Sequence, residues 1–245
     1  MATNKISKNV IMLVVVLVII LVIIGFFKYL NSGEKAKITT NGKSEIKTAP
    51  EFVSVYIMVE TLNDSAQIAK DENAKISENV LIALLKTGLE KKDIETVSYN
   101  IYENYIWDGQ KQKKEGFKVS NNLKIKVKNI DLTGKVVDVV IDNKALVQGI
   151  NFEISLETEN KLKKETLAKA AQDAREKAEA LAEGSGGKLG KLVGLNDNEF
   201  YYQPYPIYAY TESTGGAVDA KRAATNIQPQ ELTVTGNVNA VYEIK

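Results

Sequence analysis

The strongest hydrophobic pattern in the chain is an unbroken apolar run near its N-terminus. Residues 10–27 are eighteen positions in which only Gly25 is not a bulky apolar residue, and none is charged. As a helix rising about 1.5 Å per residue, the run is roughly 27 Å long, close to the roughly 30 Å hydrocarbon thickness of a bilayer. The pattern predicts a transmembrane helix at residues 10–28, a range that includes the flanking Lys28.

A cleaved signal peptide is the alternative interpretation of this run. Its apolar region is usually about 7 to 15 residues long and ends at small residues that a peptidase accepts. Here the run ends in Gly25-Phe26-Phe27-Lys28, with bulky residues at the exit. The sequence therefore favours an uncleaved signal anchor.

The residues beside the run predict its orientation. Lys5 and Lys8 precede it and no acid does, and positive flanks tend to stay on the cytoplasmic side. We therefore predict a single-pass protein of the cell membrane, with a cytoplasmic tail (1–9), a linker (29–37) and an extracytoplasmic body (38–245).

The first part of the body predicts a strand followed by a helix. Phe52–Leu62 alternates apolar and polar residues, as a half-buried strand does. From Asp64 the apolar spacing becomes three and four, which is helical. Asn63 or Asp64 is the expected N-cap, and Gly88 the expected stop.

A hairpin, a helix and a further strand follow. Thr96–Trp107 and the alternating segment 117–127 flank Asp108-Gly109, a dipeptide suited to a tight turn. Residues 131–143 are rich in valine and fit strand or helix; we predict a helix, because a connection must lead to the alternating strand at 150–156.

The second half of the body predicts one long helix and several strands. The helix covers 159–183, with alanines along one side. A short strand is expected at 189–195, a tyrosine-rich segment at 200–210, a polar loop at 211–225 and a final strand at 231–245.

Together these elements predict an α+β fold, with helices packed on a mainly antiparallel sheet. The order β-α-β-β-α-β over 52–158 is that of a ferredoxin-like plait. Extra terminal strands and the long alanine-rich helix complete the domain. An equally fair partition divides the body into two interleaved α+β subdomains.

The tyrosine-rich segment is the candidate interface. Tyrosine combines apolar area with a hydroxyl group, so clusters of it are common at protein interfaces. Packing within the chain's own domain is the alternative. The candidate residues are Phe200, Tyr201, Tyr202, Tyr205, Tyr208 and Tyr210.

Composition limits the chemistry. The chain contains no histidine and no cysteine, which excludes Ser-His-Asp and Cys-His catalysis, disulfides and the usual zinc sites. The whole chain has 32 basic and 31 acidic residues. Nucleic-acid-binding domains are usually strongly basic, so no nucleic-acid partner is predicted, and the lysines at 111, 113 and 114 are interpreted as a solvated hairpin shoulder.

No catalytic, cofactor or metal site emerges from the remaining residues. Carboxylates could serve as acid and base without histidine, and Glu103 and Asp108 lie beside aromatic residues, but solvated charge is the simpler explanation. Asn196-Asp197-Asn198-Glu199 offers oxygen ligands without EF-hand spacing, so a turn is expected there. We predict that the protein is not an enzyme.

Several stretches resemble the SIMPL-domain family when read in order. They are Glu90-Lys91-Lys92-Asp93-Ile94-Glu95-Thr96, then Gly116-Phe117-Lys118-Val119-Ser120-Asn121-Asn122-Leu123, the segment 167–194 and the end 227–244. The resemblance covers the body from about residue 38. It implies a secreted, periplasmic or surface protein of α+β fold that tends to self-assemble, with loose links to stress tolerance and no catalytic residues.

Two functions fit these observations. The first is a membrane-anchored extracytoplasmic protein that forms homo-oligomers and has a structural or envelope role. The second is a binding module that holds a peptide, an envelope polymer or a small ligand against residues 200–210.

Overall fold

The computed structural model describes residues 8–30, 36–109, 111–202, 204–207 and 230–245. The elements, in chain order, are α1 Lys8–Leu30, β1 Lys37–Thr48, β2 Phe52–Asn63, α2 Ala66–Leu85, β3 Ile94–Asp108, β4 Lys111–Val127, α3 Thr133–Asp142, β5 Leu146–Glu153, α4 Leu156–Gly184, β6 Leu189–Tyr202, β7 Tyr205–Ile207 and β8 Leu232–Ile244. The predicted α+β class is confirmed, with antiparallel pairing between all neighbouring strands in the described part.

The N-terminal apolar run is helical as α1. Within the described residues, no helix has the length and apolar character that crossing a bilayer requires. The membrane span expected at 10–28 therefore stays a prediction.

Five strands form the larger sheet, in the order β3-β4-β2-β5-β7. Its first four strands have the order and the antiparallel pairing of a ferredoxin-like plait, as the sequence predicted. β2 lies between β4 and β5, and its alternate side chains Val53, Val55, Ile57 and Val59 are fully buried beneath α2 and α3. The region 131–143 is largely helical, as expected, and includes α3.

A buried polar residue attaches α2 to this sheet. Asn73 is fully buried in the middle of the helix, and its Nδ2 donates to the carbonyl of Val59 at 2.9 Å and to that of Val119 at 3.3 Å. The two bonds tie the helix to neighbouring strands β2 and β4. They also compensate the cost of burying the amide group.

The smaller sheet has three strands in the order β1-β8-β6 and is covered by α4. Helix and sheet approach closely because small residues line the contact. The hydroxyl of Thr40 donates to the carbonyl of Ala174 at 2.7 Å, and a Cβ added at Gly42 would lie 1.9 Å from the carbonyl oxygen of Ala170. The alanine stripe is therefore core, as expected.

The two sheets share one hydrophobic core. Leu232 and Val234, at the start of β8, belong to the same buried cluster as the side chains of β2. Phe200 and Tyr202 of β6 pack against that cluster from an edge strand of the smaller sheet. The two α+β parts are thus interleaved in the chain and contiguous in the core.

Three local predictions are corrected. The N-cap of α2 is Ser65, because the side chain of Asn63 instead accepts the N–H of Ser65 at 3.2 Å. The strand expected at 189–195 continues to Tyr202, and no turn separates residues 196–199, because the long strand β8 pairs with β6 over its whole length. The tyrosine-rich segment contains a short separate strand, β7, that the sequence pattern did not predict.

Substitution of Gly42 by alanine tests the close contact of β1 with α4. The new Cβ would meet the Ala170 carbonyl oxygen and the backbone nitrogen of Ala174, 2.6 Å away, so the helix must move. We expect a loss of about 2–3 kcal/mol in the free energy of unfolding, measured by urea denaturation. Gly149→Ala is the matched control, because nothing lies within 4 Å of its added Cβ. Equal losses in both variants would contradict the packing explanation.

Candidate interaction surface

The β3–β4 hairpin projects beyond the rest of its sheet. β2 ends at Asn63, opposite Phe117 of β4, while the hairpin continues to Asp108 and Lys111. Residues 105–109 and 111–114, which we call the arm, therefore have no β2 neighbour. The predicted turn at Asp108-Gly109 is confirmed, with a φ of 64° at Gly109 that glycine adopts without strain.

A second glycine defines the base of the arm. Gly116 has a φ of 142°, and a Cβ built on it would lie 2.7 Å from the carbonyl oxygen of Asn63. The register between β3 and β4 also shifts here, between Asn104 and Tyr105, which leaves Glu115 as an extra residue on β4. Its carboxylate accepts a 2.6 Å bond from the Asn104 side chain.

β3 exposes large apolar side chains on both of its faces. Trp107 is 70% exposed and Ile101 is 44% exposed. A strand with one solvated face normally alternates apolar and polar residues, whereas β3 has exposed apolar residues at both odd and even positions. The exposed set is Val97, Tyr99, Ile101, Tyr102, Tyr105, Ile106 and Trp107.

An ion pair organises one face of the hairpin. The Lys114 ammonium contacts the Glu103 carboxylate at 2.7 Å and lies 4.0 Å from the centre of the Phe117 ring. The hydroxyl of Tyr105 donates to the same carboxylate. These hydrogen bonds, with the positive charge of Lys114, lower the pKa of Glu103 below its usual value, and the bond to Glu103 raises the pKa of Tyr105. Glu103 thus serves as an ion-pair partner.

The residues of the tyrosine-rich segment differ in their exposure. Phe200 and Tyr202 are partly buried, with Lys163 at 5.2 Å from the Phe200 ring centre and the Tyr202 hydroxyl accepting the Ile154 N–H at 3.1 Å. Burial raises the pKa of Tyr202. Tyr201 is 52% exposed on β6.

The remaining members of this candidate set lie farther along the chain. Tyr205 is in β7, opposite Phe152 of β5, and Tyr208 and Tyr210 lie outside the described residues. The proposed interface role of all six residues remains a prediction.

A surface groove of about 500 Å³ lies between α2 and the end of α3. Glu72 and Asp142 contribute negative charge to it, and Lys75 and Lys144 contribute positive charge. Its opposite charges balance, so the groove has no marked preference for an ion of either sign.

The exposed edge of β3 was missed at the level of sequence, although a signal was present. The sequence pattern at 96–107 predicts only one half of a hairpin, and the structure extends this strand to 94–108. The apolar residues of this strand do not alternate, and neither lysine nor proline, two residues that commonly protect edge strands, occurs in it. That combination indicates an edge strand without the usual protection against pairing.

Comparison with known proteins identifies the class. The SIMPL family model, described as "Protein of unknown function (DUF541)", matches residues 38–242. The chain therefore belongs to the SIMPL family, as its sequence suggested.

Relatives of known origin are similar over most of their length. The chain is 26% identical to the 26 kDa periplasmic immunogenic protein of Brucella melitensis over 217 residues, 86% of each chain. It is 21% identical to uncharacterized protein YggE of Escherichia coli K12 over 212 residues, 85% of this chain and 83% of YggE. The periplasmic relative supports an extracytoplasmic location for this chain.

The hairpin ion pair makes a measurable prediction about the Glu103 carboxyl. Because its pKa is lowered by Lys114 and Tyr105, Lys114→Met should raise that pKa, as followed by NMR titration. The ion pair stabilises the hairpin at pH values above the usual pKa of glutamate. This stabilisation is lost as the pH falls through the lowered pKa of Glu103.

Lys113→Met is the matched control for that titration. Lys113 pairs with Ile106 in the register, so its side chain lies on the opposite face from Glu103. Equal shifts of the Glu103 pKa in both variants would contradict the assigned contact.

Proposed function

We propose that the protein is a non-enzymatic extracytoplasmic assembly module, held to the cell membrane by its N-terminal helix. Its role is structural, at the cell envelope, and its active form is a homo-oligomer. The observation that carries this proposal is the exposed apolar edge of β3, with the arm at its end.

Membrane anchoring is supported by the apolar sequence and by the helical state of the same region. Residues 10–27 contain no charge, and α1 extends over Lys8–Leu30, 23 residues. An uncharged apolar run of about 17–25 residues is typical of a transmembrane helix, and this sequence pattern, rather than the length of α1, carries the proposed anchor. The periplasmic relative supports placing the body on the outer side.

A non-enzymatic role is supported by the electrostatics of the acidic groups. A general acid at neutral pH needs a raised pKa. Here the carboxyl groups with a shifted pKa, among the described residues, are all lowered: Glu51 by the Thr158 and Ser155 hydroxyls, Glu103 as above, Asp173 by Lys177, and Asp93, where burial opposes the hydrogen bonds from Glu90 and Lys128. These acids serve as caps and ion-pair partners.

Assembly is supported by the character of the exposed edge. A long apolar edge strand with unpaired N–H and C=O groups readily pairs with another strand. Confinement to a membrane would raise the local concentration of the copies. Association would then cover the apolar side chains that β3 leaves in water.

The absence of cysteine allows a direct test of topology. Single variants Thr3→Cys and Thr39→Cys place one thiol on each side of the proposed span. On intact cells, a membrane-impermeant maleimide should label Thr39→Cys and should label Thr3→Cys only after lysis. Equal labelling of the two on intact cells, or release of the protein by alkaline carbonate, would contradict the anchor.

Self-assembly is tested on the full chain in mild detergent. Size-exclusion chromatography with light scattering should give a protein mass of at least two chains at tens of micromolar. A strictly monomeric mass would overturn the assembly proposal.

The Tyr201→Ser variant tests whether the tyrosine-rich segment forms the assembly contact. Unchanged mass would place the contacts elsewhere, in agreement with the β3 edge, whereas a monomeric variant would place them on β6.

A further inference from the structure

The outer edge of β3 is the longest open edge of the larger sheet. β3 is terminal in the strand order of the described residues, and it contains fifteen residues without lysine, arginine, proline or glycine. Edge strands usually avoid pairing by means of lysine, proline, bulges or short length. The ladder between β3 and β4 is irregular at only two positions, so most of the β3 edge is competent to pair.

These two irregularities define a regular central segment. The β3–β4 register shifts once between Thr96 and Ser98 and again between Asn104 and Tyr105. Ser98–Asn104 therefore lies between them as an uninterrupted ladder, and its middle residue is Ile101. A strand that pairs with this edge in regular geometry has these seven residues to align with.

The other open edges are less suitable. β7 has three residues. β1, at the other end of the smaller sheet, is regular over twelve residues but carries Lys37, Lys43 and Lys47, and lysine commonly protects an edge strand from pairing. β6 is long, but its register with β8 shifts at three places, and it carries Lys191 and two glycines within its first half. Regular pairing over several residues thus favours β3.

We infer that β3 pairs with β3 of a second copy, antiparallel and about a two-fold axis that passes through Ile101. The inference rests on the self-assembly proposed above and specifies its contact. Pairing a segment with its own copy in antiparallel sense makes the midpoint residue face itself, so residues equally far before and after Ile101 face each other. The two five-stranded sheets then become one continuous sheet.

The side chains are compatible with this register. Ile101 faces Ile101, Tyr99 faces Glu103, and Ser98 faces Asn104, so no two carboxylates oppose each other. Directly opposed apolar pairs and hydrogen-bonding pairs favour association across a sheet. Glu103 is already neutralised by Lys114 at 2.7 Å within its own chain, which lowers the cost of placing it against a tyrosine.

The same antiparallel order also covers the arm. Beyond the central segment, Tyr105 of one copy runs alongside the part of the partner strand that contains Val97, an exposed residue. Aromatic and β-branched side chains pair favourably across strands. Each arm would thus lie on the beginning of the neighbouring β3, and both apolar ends would leave water.

Cysteine cross-linking tests the register, because the chain has no native cysteine. Directly opposed residues in an antiparallel pair have Cα atoms about 4.5–5.5 Å apart, within the range that a disulfide spans. The full-length variant Ile101→Cys, oxidised with copper-phenanthroline in its membrane, should form a disulfide-linked dimer. Tyr99→Cys and Glu103→Cys should cross-link when co-expressed, and each should do so far less efficiently alone.

Leu192→Cys is the matched control for exposure. Leu192 lies on the β6 edge and is 48% exposed, close to the 44% of Ile101. It should give little dimer under the same conditions. Thermal unfolding of each reduced variant confirms that the substitution leaves the fold intact.

The outcomes separate this inference from the proposal on which it rests. If the wild type is oligomeric by light scattering but Leu192→Cys cross-links and Ile101→Cys does not, the β3 contact is wrong and self-assembly holds. If the wild type is monomeric, the self-assembly proposal and the β3 contact are both wrong. A charged variant gives a second readout: Ile101→Lys should reduce the mass to that of a smaller species and Leu192→Lys should not, and the reverse result would overturn the inference.

Discussion

The central position of β2 is the constraint on which the rest of the domain depends. Both of its edges are occupied, by β4 and β5, and four of its side chains are fully buried against α2 and α3. Because β4 is already paired with β2 on one side, its hairpin partner β3 can pair only on the other. The chain order of the plait therefore places β3 at the boundary of the sheet, whatever its side chains are.

The smaller sheet depends on close packing rather than on large side chains. α4 approaches β1 and β8 along alanines, and Gly42 and Gly236 lie where a Cβ would meet the helix, at Ala170 and Thr166. Close approach allows hydroxyls such as Thr40 to reach helix carbonyls, so small residues and polar contacts reinforce each other. The beginning of β8 then extends this unit into the core around β2, which makes the two sheets one domain.

Much of the fold could be predicted from periodicity, and the errors have physical causes. The plait order, the hairpin turn and the helix within 131–143 follow from local patterns that agree with the tertiary structure. The extent of β6 does not, because residues 196–199 contain turn-forming side chains, and only their pairing with the long strand β8 keeps them extended. Three adjacent polar residues could each cap α2, and the pattern does not show which one does. The side chain of Asn63 accepts the N–H of Ser65, before the helix starts.

The functional surface was harder to predict for a related reason. Tyrosine density drew attention to residues 200–210, yet Phe200 and Tyr202 of that segment are partly taken up by the domain's own core. The hairpin contains a comparable set of aromatic residues, but whether a strand lies at an edge or at the centre depends on the order of strands in space, which composition does not encode. The lack of lysine and proline in β3 is ordinary for a central strand. At the edge of a sheet, the same lack removes the usual barrier to pairing with another strand. The proposed antiparallel copy of β3 would cover the large apolar side chains that this edge exposes on its two faces, without opposing any two of its carboxylates.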